Sequence, residues 1–228
     1  MATKTQVTAF FKEMGKLCVA ESNYRISNDE PFVRPSVAMA QAALETGYGT
    51  SKMMVKANAY FGIKAGSSWT GKVYNSATTE VYDSIAVATT AVFRAYDSKA
   101  ESVADYYSLI LNSSRYAEAR SYYPSQILSP YATIYAIWDG GYATDPNYVG
   151  KIMDIIDSYD LTEWDALIDG VSSEVDGIDR EYEGTSGGHP VDTMIGISLP
   201  EVKLVVEGSK EYQSSALNLI LNEIKKTT

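Results

Sequence analysis

The sequence predicts an α+β protein that is mostly helical, with a small β-hairpin and a small α/β appendage at its C-terminal end. Three observations support this prediction. Apolar residues recur at helical spacing through much of residues 1–168. One stretch, residues 67–82, is instead rich in Thr, Ser, Val and Tyr. After Leu161 the helical periodicity fades, and a polar linker precedes one strand-like and one helix-like segment.

The first two predicted helices differ in how much of their surface is apolar. The first has one apolar face, formed by Val7, Phe10, Phe11, Met14, Leu17 and Cys18. The second begins at Pro35, because proline suits the first helical position, and ends at Glu45 or Thr46 before Gly47. Its side chains are mostly Ala, Val, Met and Leu on every face, so we expect it to be buried on nearly all sides.

The remaining elements of the front part are marked by local signals. "SSWTGKVYNSATTEVY" (67–82) predicts the hairpin, and "SKAE" (98–101) matches a capping box that opens a third helix. In "TDPNYVGKIMDIIDSYDL" (144–161), Asp145 is the predicted N-cap and Pro146 the first helical residue of a fourth. Its predicted core-facing residues are Tyr148, Val149, Ile152, Ile155, Ile156 and Tyr159.

The composition excludes several kinds of site. One cysteine, Cys18, cannot form an internal disulfide, and one histidine, His189, cannot build a zinc site or a Ser-His-Asp triad. We therefore expect no metal and no cofactor. The net charge is −10, with 14 acidic against 5 basic residues in 160–228, so nucleic-acid binding is not expected. No apolar run approaches the roughly 18 residues of a membrane span, which argues against membrane insertion.

Glu45 is unusual because it ends an almost wholly apolar helix. Partial burial and the negative end of the helix dipole would both raise the pKa of its carboxyl group. A carboxylic acid that keeps its proton near neutral pH can protonate a leaving-group oxygen. The alternative is a helix-terminal glutamate that simply points to water, and the residues alone leave both interpretations open.

Three motifs carry a resemblance to a known family. "PSVAMAQAALETGYGTSKM" (35–53), "NAYFGIKA" (58–65) and "GGYATDPNYVGKI" (140–152) together resemble the glucosaminidase family of peptidoglycan hydrolases, over about residues 5–165. This family includes flagellar rod-assembly muramidase domains, autolysins and phage lysins. The resemblance implies a lysozyme-like fold for residues 1–168 and hydrolysis of the β-1,4 bond between N-acetylglucosamine and N-acetylmuramic acid.

The same resemblance implies roles for three residues. Glu45 in "ALETGYG" would be the catalytic acid, and Tyr142 in "GYATDP" the tyrosine near the reacting sugar. Glu80 in "TTEVYDS" best matches a second acidic residue on the hairpin, although Asp83 competes with it. Glycoside hydrolysis generally pairs a protonated with an ionised carboxyl group, but an N-acetyl sugar can also supply its own amide oxygen as nucleophile. Whether Glu80 acts as base or stabiliser, or is a surface residue without a role, stays open.

Aromatic residues near the motifs are candidates for substrate binding, because aromatic planes can cover the apolar faces of sugars. The chain has 18 tyrosines, and most aromatic residues of any domain belong to its core. Phe61 is expected to be in the core. The predicted substrate-binding residues are Tyr48, Tyr60, Trp69, Tyr116 and Trp138.

The rear of the chain is predicted to be an acidic linker, residues 169–190, followed by a small segment, residues 191–228. This segment contains a predicted strand, "EVKLVVEG", and a predicted helix. About 38 residues without a disulfide or metal rarely fold alone. We expect the segment to pack on the front domain, to self-associate or to be the start of a larger unit, with wall binding or oligomerisation as its role.

The predicted protein is an endo-β-N-acetylglucosaminidase whose partner is the glycan strand of peptidoglycan. Its start, "MATKTQVTAFFKEMGK", is interrupted by Lys and Glu, so we expect synthesis in the cytoplasm without a signal peptide. Action on the bacterial cell wall would then follow release by lysis or delivery in a phage particle. One alternative is a lytic transglycosylase, which forms an anhydro sugar and needs no second carboxylate. Another is a non-hydrolytic wall-binding or phage structural protein.

Overall fold

The computed structural model describes residues 2–82 and 85–169, with side chains for all of these except residues 77–89 and 169. Asp83, the linker beyond residue 169, the segment 191–228 and His189 lie outside the described residues. The helices are α1 (Lys4–Ser27), α2 (Pro35–Thr46), α3 (Lys52–Ala57), α4 (Lys99–Asn112), α5 (Pro130–Asp139), α6 (Tyr148–Ser158) and α7 (Thr162–Asp165). Strands β1 (Val73–Tyr82) and β2 (Ile85–Arg94) form an antiparallel sheet, and short 3₁₀ turns occupy Ser114–Ala119 and Ala166–Asp169.

Helix α2 is the central element of the helical core. Every residue from Pro35 to Ala43 is buried, and α1, α5, α6 and α7 all contact it. Proline occupies the first turn, and the helix ends at Gly47 in the left-handed conformation, with φ 57°. The predicted bounds and the predicted burial of this helix are therefore confirmed, and its C-terminal turn carries Glu45.

The β-hairpin lies later in the chain than predicted. Its register runs from Val73 opposite Arg94 to Tyr82 opposite Ile85, so the second strand is "IAVATTAVFR", beyond the predicted 67–82. Residues 67–72, which supplied the turn residues of the prediction, form the loop that enters β1 instead. The hairpin base is held by an ion pair from Arg94 Nη1 to both carboxylate oxygens of Asp105 on α4, at 2.8 and 2.9 Å.

Helix starts show one confirmed cap and one correction. Ser98 caps α4 by accepting a hydrogen bond from the Glu101 amide at 3.2 Å, although Glu101 accepts from Asp97 rather than completing the box. Helix α6 begins at Tyr148, not at Pro146, because Asp145 Oδ1 accepts from the Asn147 amide at 2.9 Å and forms a turn there. The mostly helical α+β class is confirmed for the described residues.

Candidate active site

The carboxyl group of Glu45 lies at the end of α2, between α6 and the segment that follows α3. The Tyr148 hydroxyl donates to its Oε1 at 3.2 Å. The residue as a whole is exposed, but its neighbours remove the carboxyl group partly from water. This partial removal from water raises the pKa of Glu45 above its ordinary value, while the hydrogen bond from Tyr148 opposes the rise. The direction is the one that the sequence predicts.

Gly62 lies beside the other oxygen of the Glu45 carboxyl group, Oε2. Its φ is +57°, and a side-chain carbon built on it would lie 3.8 Å from Glu45 Oε2. Only glycine adopts this left-handed conformation without cost. A side-chain carbon at this position would be in van der Waals contact with Oε2, and glycine leaves that space empty.

Tyr142 binds the chain segment that carries Gly62. Its hydroxyl donates to the Phe61 carbonyl at 3.0 Å, directly before Gly62, and its ring lies 6.1 Å from that of Tyr148. Burial raises the pKa of Tyr142 well above its usual range, and the Glu45 charge adds to this rise. The structure therefore brings Tyr142 close to Glu45, with its hydroxyl bound to the backbone.

Two residues beside Glu45 were not assigned to the site by sequence reasoning. Tyr148 counted as a core-facing residue of α6, and it is buried, but its hydroxyl binds the acid. Gln41 lies one turn before Glu45 on α2, is fully buried, and donates from Nε2 to the Tyr148 hydroxyl at 3.0 Å. A single amide within a run of Ala, Met and Leu was the signal that could have identified Gln41.

The structure corrects two of the predicted substrate-binding aromatics. Tyr60 and Tyr116 are 0% and 2% exposed, so their rings belong to the core and present no face to a substrate. Tyr60 packs against Phe10 and Phe61, with ring centroids 6.1 and 6.4 Å apart. The prediction that Phe61 belongs to the core is confirmed, since it is 3% exposed.

The other three predicted aromatics are partly exposed at three different places. Trp69 lies near the hairpin base, with the Arg94 guanidinium 4.6 Å above its ring. Trp138 on α5 donates from Nε1 to the Asp145 carbonyl at 2.9 Å, in the motif that also holds Tyr142. Tyr48 packs edge-on against Phe10 and Phe11 of α1, and borders a shallow depression that Glu45 does not line.

Trp138 is the last of three aromatic rings that follow one another along α5. The Tyr135 ring lies 5.9 Å from Trp138, and Tyr131 stacks on Tyr135 at 6.2 Å with an interplanar angle of 19°. Tyr131 and Tyr135 are 56% and 37% exposed. We call Tyr131, Tyr135 and Trp138 the α5 aromatic row. It offers flat apolar surface of the kind that sugar rings can cover.

Glu80 lies in β1 opposite Val87, two residue pairs before the last pair, Tyr82 opposite Ile85. Its side chain is outside the described part of the structure, so its role stays a prediction. In residues 2–82 and 85–169, no cluster of three or more His, Cys, Asp or Glu residues could hold a metal ion. None of the helices described there combines the length and the apolar character that crossing a bilayer requires.

Comparison with known proteins identifies the family. The glucosaminidase family model, described as mannosyl-glycoprotein endo-beta-N-acetylglucosaminidase, matches residues 22–161, more than half of the chain. The chain belongs to the glucosaminidase family. This family assignment makes it a glycoside hydrolase, and it covers α2, the Gly62 segment, the hairpin, α5 and α6.

Two curated relatives illustrate the match. The chain is 34% identical over 137 residues to the peptidoglycan hydrolase FlgJ of Salmonella typhimurium, covering 58% of this chain and 42% of FlgJ. It is also 34% identical over 144 residues to the exo-glucosaminidase LytG of Bacillus subtilis, covering 63% of this chain and 50% of LytG. The chain thus spans half or less of the length of these two relatives.

Solved structures of family relatives share the fold. The catalytic domain of the autolysin Auto from Listeria monocytogenes matches with a TM-score of 0.59 and 27% identity, over 72% of this chain and 90% of that domain. A peptidoglycan hydrolase from a Sphingomonas species matches with a TM-score of 0.52 and 33% identity, over 69% of this chain and 92% of that chain. These matches confirm the predicted lysozyme-like glycoside hydrolase fold.

Proposed function

We propose that this protein is a peptidoglycan hydrolase, an endo-β-N-acetylglucosaminidase that cleaves the β-1,4 bond between N-acetylglucosamine and N-acetylmuramic acid. The observation that carries the proposal is the environment of Glu45: an accessible carboxyl group at the end of a buried helix, with a raised pKa and a single tyrosine donor. Relatives that are peptidoglycan hydrolases by name support the choice of substrate.

Glu45 would act as the general acid. In its protonated form it donates its hydrogen to the glycosidic oxygen as the bond to the sugar carbon breaks, so the departing sugar leaves as an alcohol. The positive charge that develops on the remaining N-acetylglucosamine ring is quenched as water adds to its carbon, and the proton that this water loses passes to a carboxylate, Glu80 or the ionised Glu45. Glu80, or the acetamido oxygen of the sugar itself, would stabilise that charge or activate the water. The product carries a new reducing N-acetylglucosamine end.

The partly exposed aromatics would hold the glycan strand. In the α5 aromatic row, the ring nitrogen of Trp138 is bound to the Asp145 carbonyl, in the loop that also carries Tyr142. Trp69, fixed beneath Arg94 at the hairpin base, would contact sugars on the hairpin side. Delivery to the wall by lysis or in a phage particle belongs to the same proposal.

Mass spectrometry of the fragments released from purified cell walls tests this function. We expect wild type to release fragments that end in reducing N-acetylglucosamine, and Glu45→Gln to release none. Glu118→Gln, the same change at an exposed glutamate of the Ser114–Ala119 turn, is the matched control and should keep full activity. Single sugars as the dominant product would indicate an exo-acting enzyme, and anhydro ends would indicate a transglycosylase. Either result contradicts the proposal.

A further inference from the structure

A chain of buried hydrogen bonds leads from α4 to the carboxyl group of Glu45. The Tyr106 hydroxyl on α4 donates to Gln41 Oε1 on α2. Gln41 Nε2 donates to the Tyr148 hydroxyl on α6 at 3.0 Å, and Tyr148 donates to Glu45 Oε1 at 3.2 Å. Tyr106 and Gln41 are 0% exposed and Tyr148 is 4% exposed, so this chain is shielded from water up to its last member.

The chemistry of the groups sets the direction of this chain. The carbonyl oxygen of Gln41 can only accept, so Tyr106 must use its hydrogen there. The amide nitrogen of Gln41 can only donate, so the Tyr148 oxygen accepts from it. The hydrogen of Tyr148 is then left for Glu45. Every hydrogen bond of the chain is therefore donated in the same direction, from α4 towards the acid.

We propose that Tyr106, Gln41 and Tyr148 are positioning residues that hold Glu45 with Oε1 as a fixed acceptor and Oε2 as the oxygen that carries the catalytic proton. This inference rests on the proposed role of Glu45 as general acid. Because Oε1 already receives a hydrogen from Tyr148, the acidic hydrogen sits on Oε2. Oε2 is the oxygen that faces Gly62, where the absence of a side chain leaves room for the glycosidic oxygen.

Packing alone does not account for these residues. A buried amide costs free energy unless its groups are hydrogen-bonded, and an apolar residue of similar size at position 41 would fill the same space. Gln41 and Glu45 are one helical turn apart, so an amide at 41 can reach a partner that also reaches the acid.

The titratable groups near the Glu45 carboxyl among the described side chains are Tyr148 and Tyr142, both with pKa values raised by burial. Both are therefore neutral across the working pH range, and only Tyr148 donates to the acid.

Tyr148→Phe is the decisive variant, because it removes one oxygen and keeps the ring. A donor to the carboxylate favours the ionised form, so its loss raises the pKa of the acid. We expect the basic limb of kcat/KM against pH to move up by about one unit. We also expect kcat at the optimum to fall about tenfold, with KM changed less than about twofold, because positioning acts in the transition state. A limb that moves down would mean that Glu45 donates to Tyr148, and it would overturn the proposal, as would an unchanged limb.

Gln41→Met tests whether the amide acts through Tyr148. Alone, it should move the same limb in the same direction. Added to Tyr148→Phe, it should produce no further shift, since the two side chains form one chain. Additive shifts would contradict the proposal. Tyr107→Phe is the control: its hydroxyl is equally buried but contacts Ser22 and Cys18, so it should leave the pH limb in place while lowering the melting temperature.

Different experimental results would contradict this inference and the proposed function. If Glu45→Gln retains activity, the proposed acid is wrong. If Glu45→Gln is inactive but Tyr148→Phe keeps the wild-type pH profile, Glu45 is the acid and the positioning chain is wrong. Circular dichroism and thermal unfolding of each variant establish that the full chain is folded before its kinetics are compared.

Discussion

Asp165 binds the first turn of the helix that carries Glu45, with Ser36 as its partner. Its Oδ1 accepts from the Ser36 amide at 2.9 Å and its Oδ2 accepts from the Ser36 hydroxyl at 2.7 Å, across 129 residues of chain. Arg34, the N-cap residue of α2, makes no side-chain cap of its own. A carboxylate supplied by α7 thus satisfies a free amide at the positive end of the α2 dipole, which no local side chain does.

Asp165→Asn should destabilise the folded state. The amide nitrogen of asparagine would face one of the two Ser36 donors, leaving that donor buried and unpaired. We expect the free energy of unfolding to fall by about 1–3 kcal/mol, measured by denaturant titration. Asp157→Asn, at an exposed position near the end of α6, is the matched control and should change stability by less than about 0.5 kcal/mol. Equal effects of the two variants would argue against a capping role for Asp165.

Close packing between α1 and α7 gives a second prediction about stability. A side-chain carbon on Gly15 would lie 2.4 Å from the fully buried Trp164 ring, closer than atoms can approach. Gly15→Ala should therefore lower the free energy of unfolding by about 1–3 kcal/mol. Gly150 lies in α6, and a carbon there would meet nothing within 4 Å. Gly150→Ala should instead stabilise by about 0.5–1 kcal/mol, because alanine favours the helix. Thermal melts of both variants test the contrast.

Local sequence signals predicted the elements that depend on local chemistry. Pro35 at the first turn and Gly47 after the last turn correctly bounded α2. The hairpin was misplaced because turn residues in 67–72 resembled its loop, while the second strand is made of small residues with little alternation.

Contacts between distant segments were not predictable in the same way. Tyr148 and Glu45 are 103 residues apart, and nothing near either residue reveals that the hydroxyl of one binds the carboxyl of the other. Tyr60 illustrates the opposite error, because it lies in a matching motif yet packs in the core. A motif marks a region as functional without saying which of its side chains faces the substrate. That orientation depends on how α1, α2 and α4 pack.

The raised pKa of Glu45 predicts how activity depends on pH. The acid must be protonated to act, so activity should be lost as pH rises through its folded-state pKa, at higher pH than an ordinary glutamate would allow. The same shift means that the folded state binds this proton more tightly than the unfolded state. Stability should therefore fall as pH rises between the unfolded and folded pKa values of Glu45. Profiles of kcat/KM and of unfolding free energy between about pH 4 and about pH 9 check both statements. Glu45→Gln should remove this contribution to the stability profile.

The α5 aromatic row predicts a change in substrate binding that leaves the chemistry intact. Tyr135 is the middle ring, so Tyr135→Ala removes its own surface and the stacking partner of Tyr131. We expect KM for polymeric glycan to rise about tenfold, equivalent to about 1.4 kcal/mol, with kcat little changed. Tyr24→Ala removes a more exposed tyrosine from α1, 63% against 37% for Tyr135, and should leave KM unchanged. A fall in kcat at constant KM would place Tyr135 in the chemical step instead of in binding.

Glu80→Gln separates hydrolysis from transglycosylation. A hydrolase that uses a second carboxylate should lose most of its activity with this change, whereas a transglycosylase needs only the acid and should keep it. Asp83→Asn is the competing variant, since Asp83 follows Glu80 by three positions in the sequence. Loss of activity in Glu80→Gln alone, with fragments from Asp83→Asn still ending in reducing N-acetylglucosamine, would assign the second carboxylate to position 80. Full activity in both variants with anhydro ends would indicate a transglycosylase. Full activity in both with reducing N-acetylglucosamine ends would leave the acetamido group of the sugar as the nucleophile. A retained anomeric configuration of the product, measured by NMR during turnover, would then be expected, because two successive inversions at the sugar carbon restore its original geometry.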